Sequence, residues 1–336
     1  MSALAADTRF AAFRIHNEEG KHRAGIEQIG LDDLGEGEVL IQTRFSSVNY
    51  KDALAGTGKG KILRSFPLIG GIDSCGDVVE SSDPRFSAGD QVIVTSYGLS
   101  VYHNGGYSEY LRVPADWVVK MPEGMGPFDA MVLGTAGLTA GMACYRMEQN
   151  GQRPEQGPVV VTGATGGVGS LAIDIFASRG YEVVAVSGKP EMKDYLESLG
   201  AARVIGRDEI SPGSRPLEKA AWAGAVDNVG GEMLANLTRT TKPWGNIASI
   251  GLAGGFELNT TVMPFIIRGV SLLGIDSQEC PADIRASVWN RLASEYKPRH
   301  LEAIVDKVVN MSELPGVFDQ MLAGKTKGRI VVNTRD

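Results

Sequence analysis

The rhythm of apolar and polar positions changes twice along the chain. Over roughly the first 125 residues, short β-branched runs sit between turn residues, the pattern of a strand-rich region. Glu38-Val39-Leu40-Ile41-Gln42-Thr43 opens one strand and Asp77-Val78-Val79-Glu80 another. Gln91-Val92-Ile93-Val94-Thr95 follows the Ala88-Gly89-Asp90 turn, and residues 107–113 read as a half-buried strand. Pro122 and Pro127 then mark the first change. Residues 131–147 predict a helix of small apolar residues, and Val159-Val160-Val161-Thr162 has the continuous β-branched character of a parallel strand buried on both faces. Helices expected over 168–178 and 189–199, the second closed by Gly200, alternate with strands over 182–186, 203–205, 225–228, 246–250 and 271–275. Such alternation implies a doubly wound parallel sheet. After Ser277 the rhythm changes again, to an amphipathic helix over 283–296 and a closing strand over 328–333. This tail is too short to fold alone and is expected to return to the first region. The expected domains are therefore 1–127 with 277–336, and 128–276.

Composition narrows the class. The 336 residues exceed one comfortable core, in agreement with two domains. Lys+Arg 33 against Asp+Glu 40 leaves a net charge of −7, which argues against a nucleic-acid or anionic-membrane partner. Forty-three glycines are nearly twice the usual share of ~7% and imply tight turns or close approaches of backbone to ligand. Cys75, Cys144 and Cys280 are far apart, and His16, His22, His103 and His300 are scattered, so neither a disulfide framework nor a structural zinc lobe is expected. No signal peptide or membrane-spanning run is legible, which makes the cytoplasm the expected compartment.

The sharpest local motif is Thr162-Gly163-Ala164-Thr165-Gly166-Gly167-Val168-Gly169, which follows a strand and opens a helix. Aligned on Gly169 it reads A-x-G-x-x-G. Gly166 lets backbone approach a pyrophosphate, Gly169 lets helix pack on sheet, and the helix N-terminus holds the anion. The bland alternative is a structural glycine turn. NAD sites place an acid at the end of the next strand; here that strand ends Ser187-Gly188-Lys189, and Arg207 follows the third strand. A hydroxyl and two cations suit a 2′-phosphate, so NADPH is the expected cofactor, unless both cations are ordinary surface charges.

Several strings resemble medium-chain dehydrogenases/reductases over essentially the whole chain: Asn49-Tyr50-Lys51-Asp52, Gly70-Gly71-Ile72-Asp73, Gly89-Asp90-Gln91-Val92, Gly105-Gly106-Tyr107-Ser108-Glu109-Tyr110 and Leu199-Gly200-Ala201-Ala202. Where zinc alcohol dehydrogenases carry Gly-His-Glu, this chain has Gly71-Ile72-Asp73, and no cysteine lies near Asn49, so the resemblance points to the zinc-free quinone oxidoreductase and enoyl reductase branch with no metal. Within it, residues 46–54, Thr57-Gly58-Lys59-Gly60-Lys61, Asp83-Pro84-Arg85-Phe86, residues 251–256 and residues 260–266 resemble the acryloyl-CoA reductase group. The resemblance implies a GroES-like β-rich catalytic domain, a Rossmann domain and a homodimer formed by sheet extension. It further implies NADP contacts at Tyr50, Thr165, Gly166, Gly167, Val168, Ser187, Gly188, Lys189, Arg207, Leu252, Ile266, Ser277 and Lys325, with NADPH in the cleft between the domains.

The activity so implied is reduction of acryloyl-CoA to propanoyl-CoA. Hydride adds at the electrophilic β carbon and a proton at the α carbon, and the protein must orient the reactants and polarise the carbonyl. Tyr50 is expected beside the nicotinamide, and Asn49 is expected to orient substrate or the cofactor amide; Asn49 equally suits a turn cap and Tyr50 a packed aromatic. Lys59, Lys61 and Arg64, and near the C-terminus Lys325, Lys327 and Arg329, are candidates to guide the phosphates of the thioester substrate, with solvated loops, or for Arg329 a structural ion pair, as the alternative. A quinone or a broader enal/enone reductase shares the cofactor site, and an NADPH-binding protein without turnover is the reading from another class. Cys75 is expected to be a packed thiol rather than a nucleophile.

Overall fold

The structure, a computed structural model, describes residue 5 and residues 7–210 and 213–335. The chain forms two compact units, residues 1–135 with 278–286 and 305–336, and residues 136–277 with 287–304.

The first unit is built on mainly antiparallel strands, with one parallel pair between Val305–Asn310 and Arg329–Asn333. Arg9–Glu18 and Lys21–Gly30 form a hairpin turned at Glu19-Gly20, where both residues have positive φ. The larger sheet runs in the order Val305–Asn310, Arg329–Asn333, Val39–Val48, Asp73–Ser81, Gln91–Thr95, Val118–Lys120, and Tyr110–Val113 pairs with Val39–Val48. Phe10, Phe13, Ile15, Tyr107 and Phe318 fill one core, and Val39, Ile41, Val78, Val92 and Leu111 a second. The helix Tyr50–Thr57 packs at Gly56, where a Cβ would come within 2.2 Å of the Phe318 ring.

The second unit is the doubly wound parallel sheet, in the order Ala201–Ile205, Val183–Val186, Val159–Val161, Trp222–Asp227, Thr241–Ser249, Ser271–Gly274. Its order reverses between Val159–Val161 and Trp222–Asp227. Both are fully buried, as a β-branched run covered by helices on two faces requires.

The unit boundaries differ from the expected ones in three places, at Ser277 by one residue, which falls in the parallel-sheet unit. Residues 128–135 stay with the β-rich unit because Gly134 interrupts the helix Pro127–Gln149 with φ 50° and ψ −152°. Residues 287–304 join the parallel-sheet unit instead of returning with the tail. Val288 and Leu292 press on Gly141, where a Cβ would meet them at 2.9 and 3.2 Å. Tyr296 Oη donates to Glu148 Oε2 at 2.8 Å. The buried Asp174 accepts the backbone N–H groups of Arg299 and His300 at 3.0 and 2.7 Å. No helix among the described residues is long and apolar enough to cross a membrane.

Candidate functional site: a phosphate cradle and a buried charge network

The cradle forms where the strand Val159–Val161 turns into the helix Gly167–Ser178. Gly163, at φ 57°, makes the turn, and its carbonyl accepts the N–H of Gly166 at 3.0 Å. Gly169 is confined by that carbonyl. An added Cβ would stand 2.3 Å from Gly163 O and 2.8 Å from Ala164 Cα, both backbone atoms. The first N–H groups of the helix lack intrahelical partners, and the segment that leads into it borders a cavity lined by Ala164, Thr165, Ser187, Gly188, Lys189 and Arg207.

The far end of that cavity is cationic. Arg207 lies across Gly188, where a Cβ would come within 3.0 Å of Nε, 3.1 Å of Cζ and 3.3 Å of Nη2. Ser187 Oγ accepts the N–H of Lys189 at 3.0 Å, which closes the loop beneath it. Any side chain at position 188 would displace the guanidinium, and a carboxylate there would neutralise it. The donors and the glycine-lined approach fit a dinucleotide carrying a 2′-phosphate.

Two residues that sequence reasoning treated only as a strand end, Asp227 and Asn228, fasten the point where the sheet order reverses. Asp227 Oδ1 accepts Thr162 Oγ1 at 2.7 Å, and Oδ2 accepts the N–H of Gly230 at 2.7 Å. Asn228 Nδ2 donates to Thr162 O at 2.8 Å. Burial pushes the Asp227 carboxyl above the usual carboxylate range. The available signal was an acid closing a fully apolar strand ahead of Gly230-Gly231.

The β-rich unit holds a different arrangement. Asp73 is wholly buried and accepts from Ser47 Oγ at 2.6 Å, Asn49 Nδ2 at 2.8 Å, Thr135 N at 3.0 Å and Thr135 Oγ1 at 2.5 Å. Its charge partner is Arg329, 3.7 Å away through Nη2. Arg329 donates to Val132 O, Val48 O, Asn49 Oδ1 and Ser47 Oγ at 2.9, 3.2, 3.1 and 2.7 Å. Gly134 lies over this network, where a Cβ would come within 2.5 Å of Asp73 Oδ2. Asp52 takes the N–H groups of Asn49 and Ile72 at 2.8 and 3.0 Å. Burial, and then the neighbouring Asp73 charge, push its carboxyl up to about 7. The network ties together the strands Val39–Val48, Asp73–Ser81 and Arg329–Asn333 and the start of the helix Tyr50–Thr57.

Comparison with known proteins agrees with both units. Residues 35–123 match the alcohol dehydrogenase GroES-like domain and residues 167–294 the zinc-binding dehydrogenase domain. The chain is 46% identical to the probable acrylyl-CoA reductase AcuI of Escherichia coli, over 96% of this chain and 98% of that one. The chain belongs to the acryloyl-CoA reductase group of the medium-chain dehydrogenases/reductases. The crystal structure of E. coli K-12 YhdH with bound NADPH is similar at a TM-score of 0.93 and 45% identity, covering 96% of this chain and all of that one. Bacillus subtilis YhfP, named a putative quinone oxidoreductase, is 48% identical over 97% of this chain and 99% of that protein; its structure with NAD bound is similar at a TM-score of 0.95.

Set in this group, the expected residues separate into three kinds. Thr165, Ser187, Gly188, Lys189 and Arg207 line one cavity, and Gly166, Gly167 and Val168 open the helix beside it. Leu252 and Ile266 are exposed on the same unit, and Ser277 Oγ accepts Thr139 Oγ1 at 2.9 Å. Tyr50 and Lys325 are exposed on the β-rich unit, Tyr50 as the first residue of its helix. Asn49 stands at the N-cap position of that helix, and its side-chain amide donates to Asp52 and Asp73 and accepts from Arg329. Arg329, expected among the residues guiding substrate phosphates, is instead the buried partner of Asp73. Lys59, Lys61 and Arg64 do lie exposed, Lys59 with Asp319 at 3.9 Å. Where zinc relatives carry histidine, Ile72 is buried in the core. Cys75 is a packed thiol, donating to Pro127 O at 3.2 Å and pushed up to about 12 chiefly by burial.

Proposed function

We propose that this protein reduces the carbon–carbon double bond of acryloyl-CoA to propanoyl-CoA with NADPH and without a metal. The observation that carries the reading is the full-length likeness to an acrylyl-CoA reductase in a chain whose dinucleotide cradle ends in Ser187, Lys189 and Arg207 instead of an acid. NADPH, when bound, supplies a hydride for the β carbon; the α carbon then takes a proton. The N–H groups at Gly166, Gly167 and Val168 hold the pyrophosphate, while Ser187, Gly188, Lys189 and Arg207 hold the 2′-phosphate. Tyr50, Leu252, Ile266, Ser277 and Lys325 contact the remainder of the cofactor. The Asp73–Arg329 network, with Asn49 in it, fixes the segment from which Tyr50 projects, so orientation comes from a rigid support. Lys59, Lys61 and Arg64 receive the phosphates of coenzyme A.

The same reading makes the protein a cytoplasmic homodimer. Its three buried free cysteines suit a reducing compartment, and the half-buried edge strand Ser271–Gly274 offers a second copy a sheet to extend. A second reading, quinone reduction, rests on the name of the B. subtilis relative and on the NAD in its structure. The test follows cofactor absorbance with acryloyl-CoA, crotonyl-CoA and a benzoquinone, each with NADPH and with NADH. Fast turnover of acryloyl-CoA with NADPH and little with quinone supports thioester reduction. Fast quinone turnover without thioester reduction overturns it.

A further inference from the structure

A coenzyme A substrate brings an adenine as well as phosphates, and the β-rich unit carries an aromatic group suited to it that no sequence motif marks. The basic loop after the helix Tyr50–Thr57 runs alongside a strained turn. Arg64 N donates to Val101 O at 2.7 Å, Ile69 N to Asn104 Oδ1 at 2.9 Å and Gly105 N to Ile69 O at 2.9 Å, so residues 64–69 lie against 101–105. In that turn Ser96, Tyr97 and Ser100 all have positive φ, at 62°, 48° and 57°, conformations that L-residues hold only where the surroundings enforce them. The turn projects Tyr102 outward. Its ring lies over Gly98, where a Cβ would come within 2.3 Å of Cε2, and its edge meets Trp117 at 6.2 Å between centroids.

Tyr102 nevertheless remains 47% exposed, and Phe66 on the facing segment 40%. Lys61 and Arg64, on the same loop as Phe66, are exposed, and among the described residues neither side chain forms an ion pair. Exposed aromatic faces next to uncommitted cations are the chemistry that holds a nucleotide: rings stack the base, and cations take the phosphates. The helix from Tyr50 to this loop is eight residues, about 12 Å long. The thioester and the nucleotide of coenzyme A are likewise held apart, by the pantetheine arm.

We infer that Tyr102, supported by Trp117 and joined by Phe66, Lys61 and Arg64, is the platform for the 3′-phosphorylated adenosine diphosphate of the acyl-CoA substrate. The inference rests on the thioester reading above. Its test compares acryloyl-CoA with acryloyl-pantetheine, which lacks the nucleotide, in the wild type, Tyr102→Ala and Tyr102→Phe. In Tyr102→Ala the ratio of kcat/KM for acryloyl-CoA over acryloyl-pantetheine falls about tenfold, and Tyr102→Phe restores it. Adenosine 3′,5′-bisphosphate is also titrated calorimetrically into protein saturated with NADP⁺, which blocks the cofactor's own adenine site; Tyr102→Ala weakens its binding by a similar factor. An unchanged ratio, or equal losses on both thioesters, overturns the platform while leaving thioester reduction standing. If the wild type reduces neither thioester, the functional reading falls, and the calorimetry alone decides whether the platform binds the nucleotide.

Discussion

The phosphate cradle and the Asp73–Arg329 network use polar groups in opposite ways. The cradle is made of backbone: glycines without side chains, and helix N–H groups that the helix cannot pair for itself. The network is made of side chains already paired with one another, around a carboxylate and a guanidinium that are both buried. Glycine backbone at a helix start beside a cavity suits a ligand, whereas a satisfied network gives rigidity. In that contrast Arg329 and Asn49, plausible substrate groups by residue type, are bonded into the network, whereas Arg207, an ordinary cation by residue type, lines the cavity beside the cradle.

Mutations can break or sharpen this contrast. The largest effect is expected in the network, where Arg329→Leu leaves Asp73 without its counter-charge; chemical denaturation should show a loss of about 3–5 kcal/mol. A loss under about 1 kcal/mol would mean that the hydroxyl and amide donors alone hold the carboxylate. In the cradle, Gly169→Val forces a side chain against two backbone atoms, so about 1–3 kcal/mol of stability should go along with most NADPH binding, measured by calorimetry. Arg207→Ala should raise KM for NADPH about tenfold or more while leaving KM for NADH nearly unchanged, because only the 2′-phosphate loses its partner. Equal shifts for the two cofactors would remove Arg207 from specificity.

A pH measurement probes the Asp52 carboxyl. The Asp52 carboxyl, ordinarily near 3.8, is raised to about 7 in the folded protein. Between those values the unfolded chain has released a proton that the folded protein keeps, so this group makes stability fall as pH rises from 3.8 to about 7, with no further change above. Asp52→Asn should flatten that part of the stability–pH curve. An identical slope in the variant would assign the pH dependence to other groups. The smallest effect belongs to Lys59→Ala: its 3.9 Å pair with Asp319 is largely exposed, and the melting temperature should not move measurably.

What could be read from the sequence was what depends on neighbours along the chain. The buried run Val159–Val161, the turn through Gly163 and the helix opening at Gly167 occupy consecutive positions, so strand, turn and anion site were legible together. The lack of an acid at Ser187-Gly188-Lys189 was equally plain. Arg207 sits 19 residues beyond Gly188, yet it could be placed because a doubly wound sheet brings successive strand ends to one edge.

The charge network obeys no such rule. Ser47, Asn49, Asp73, Thr135 and Arg329 meet only because an antiparallel sheet sets the strand Arg329–Asn333 beside Val39–Val48, and because Gly134 breaks a helix that the apolar pattern predicts to be continuous. The capture of residues 287–304 by the parallel-sheet unit is of the same kind, resting on Asp174, Glu148 and the space left at Gly141. Local backbone chemistry is written in consecutive residues and determined the cradle. Burial and pairing of charges depend on which distant segments pack together, and only the tertiary structure decided which ionisable groups line a cavity and which are bonded within the fold.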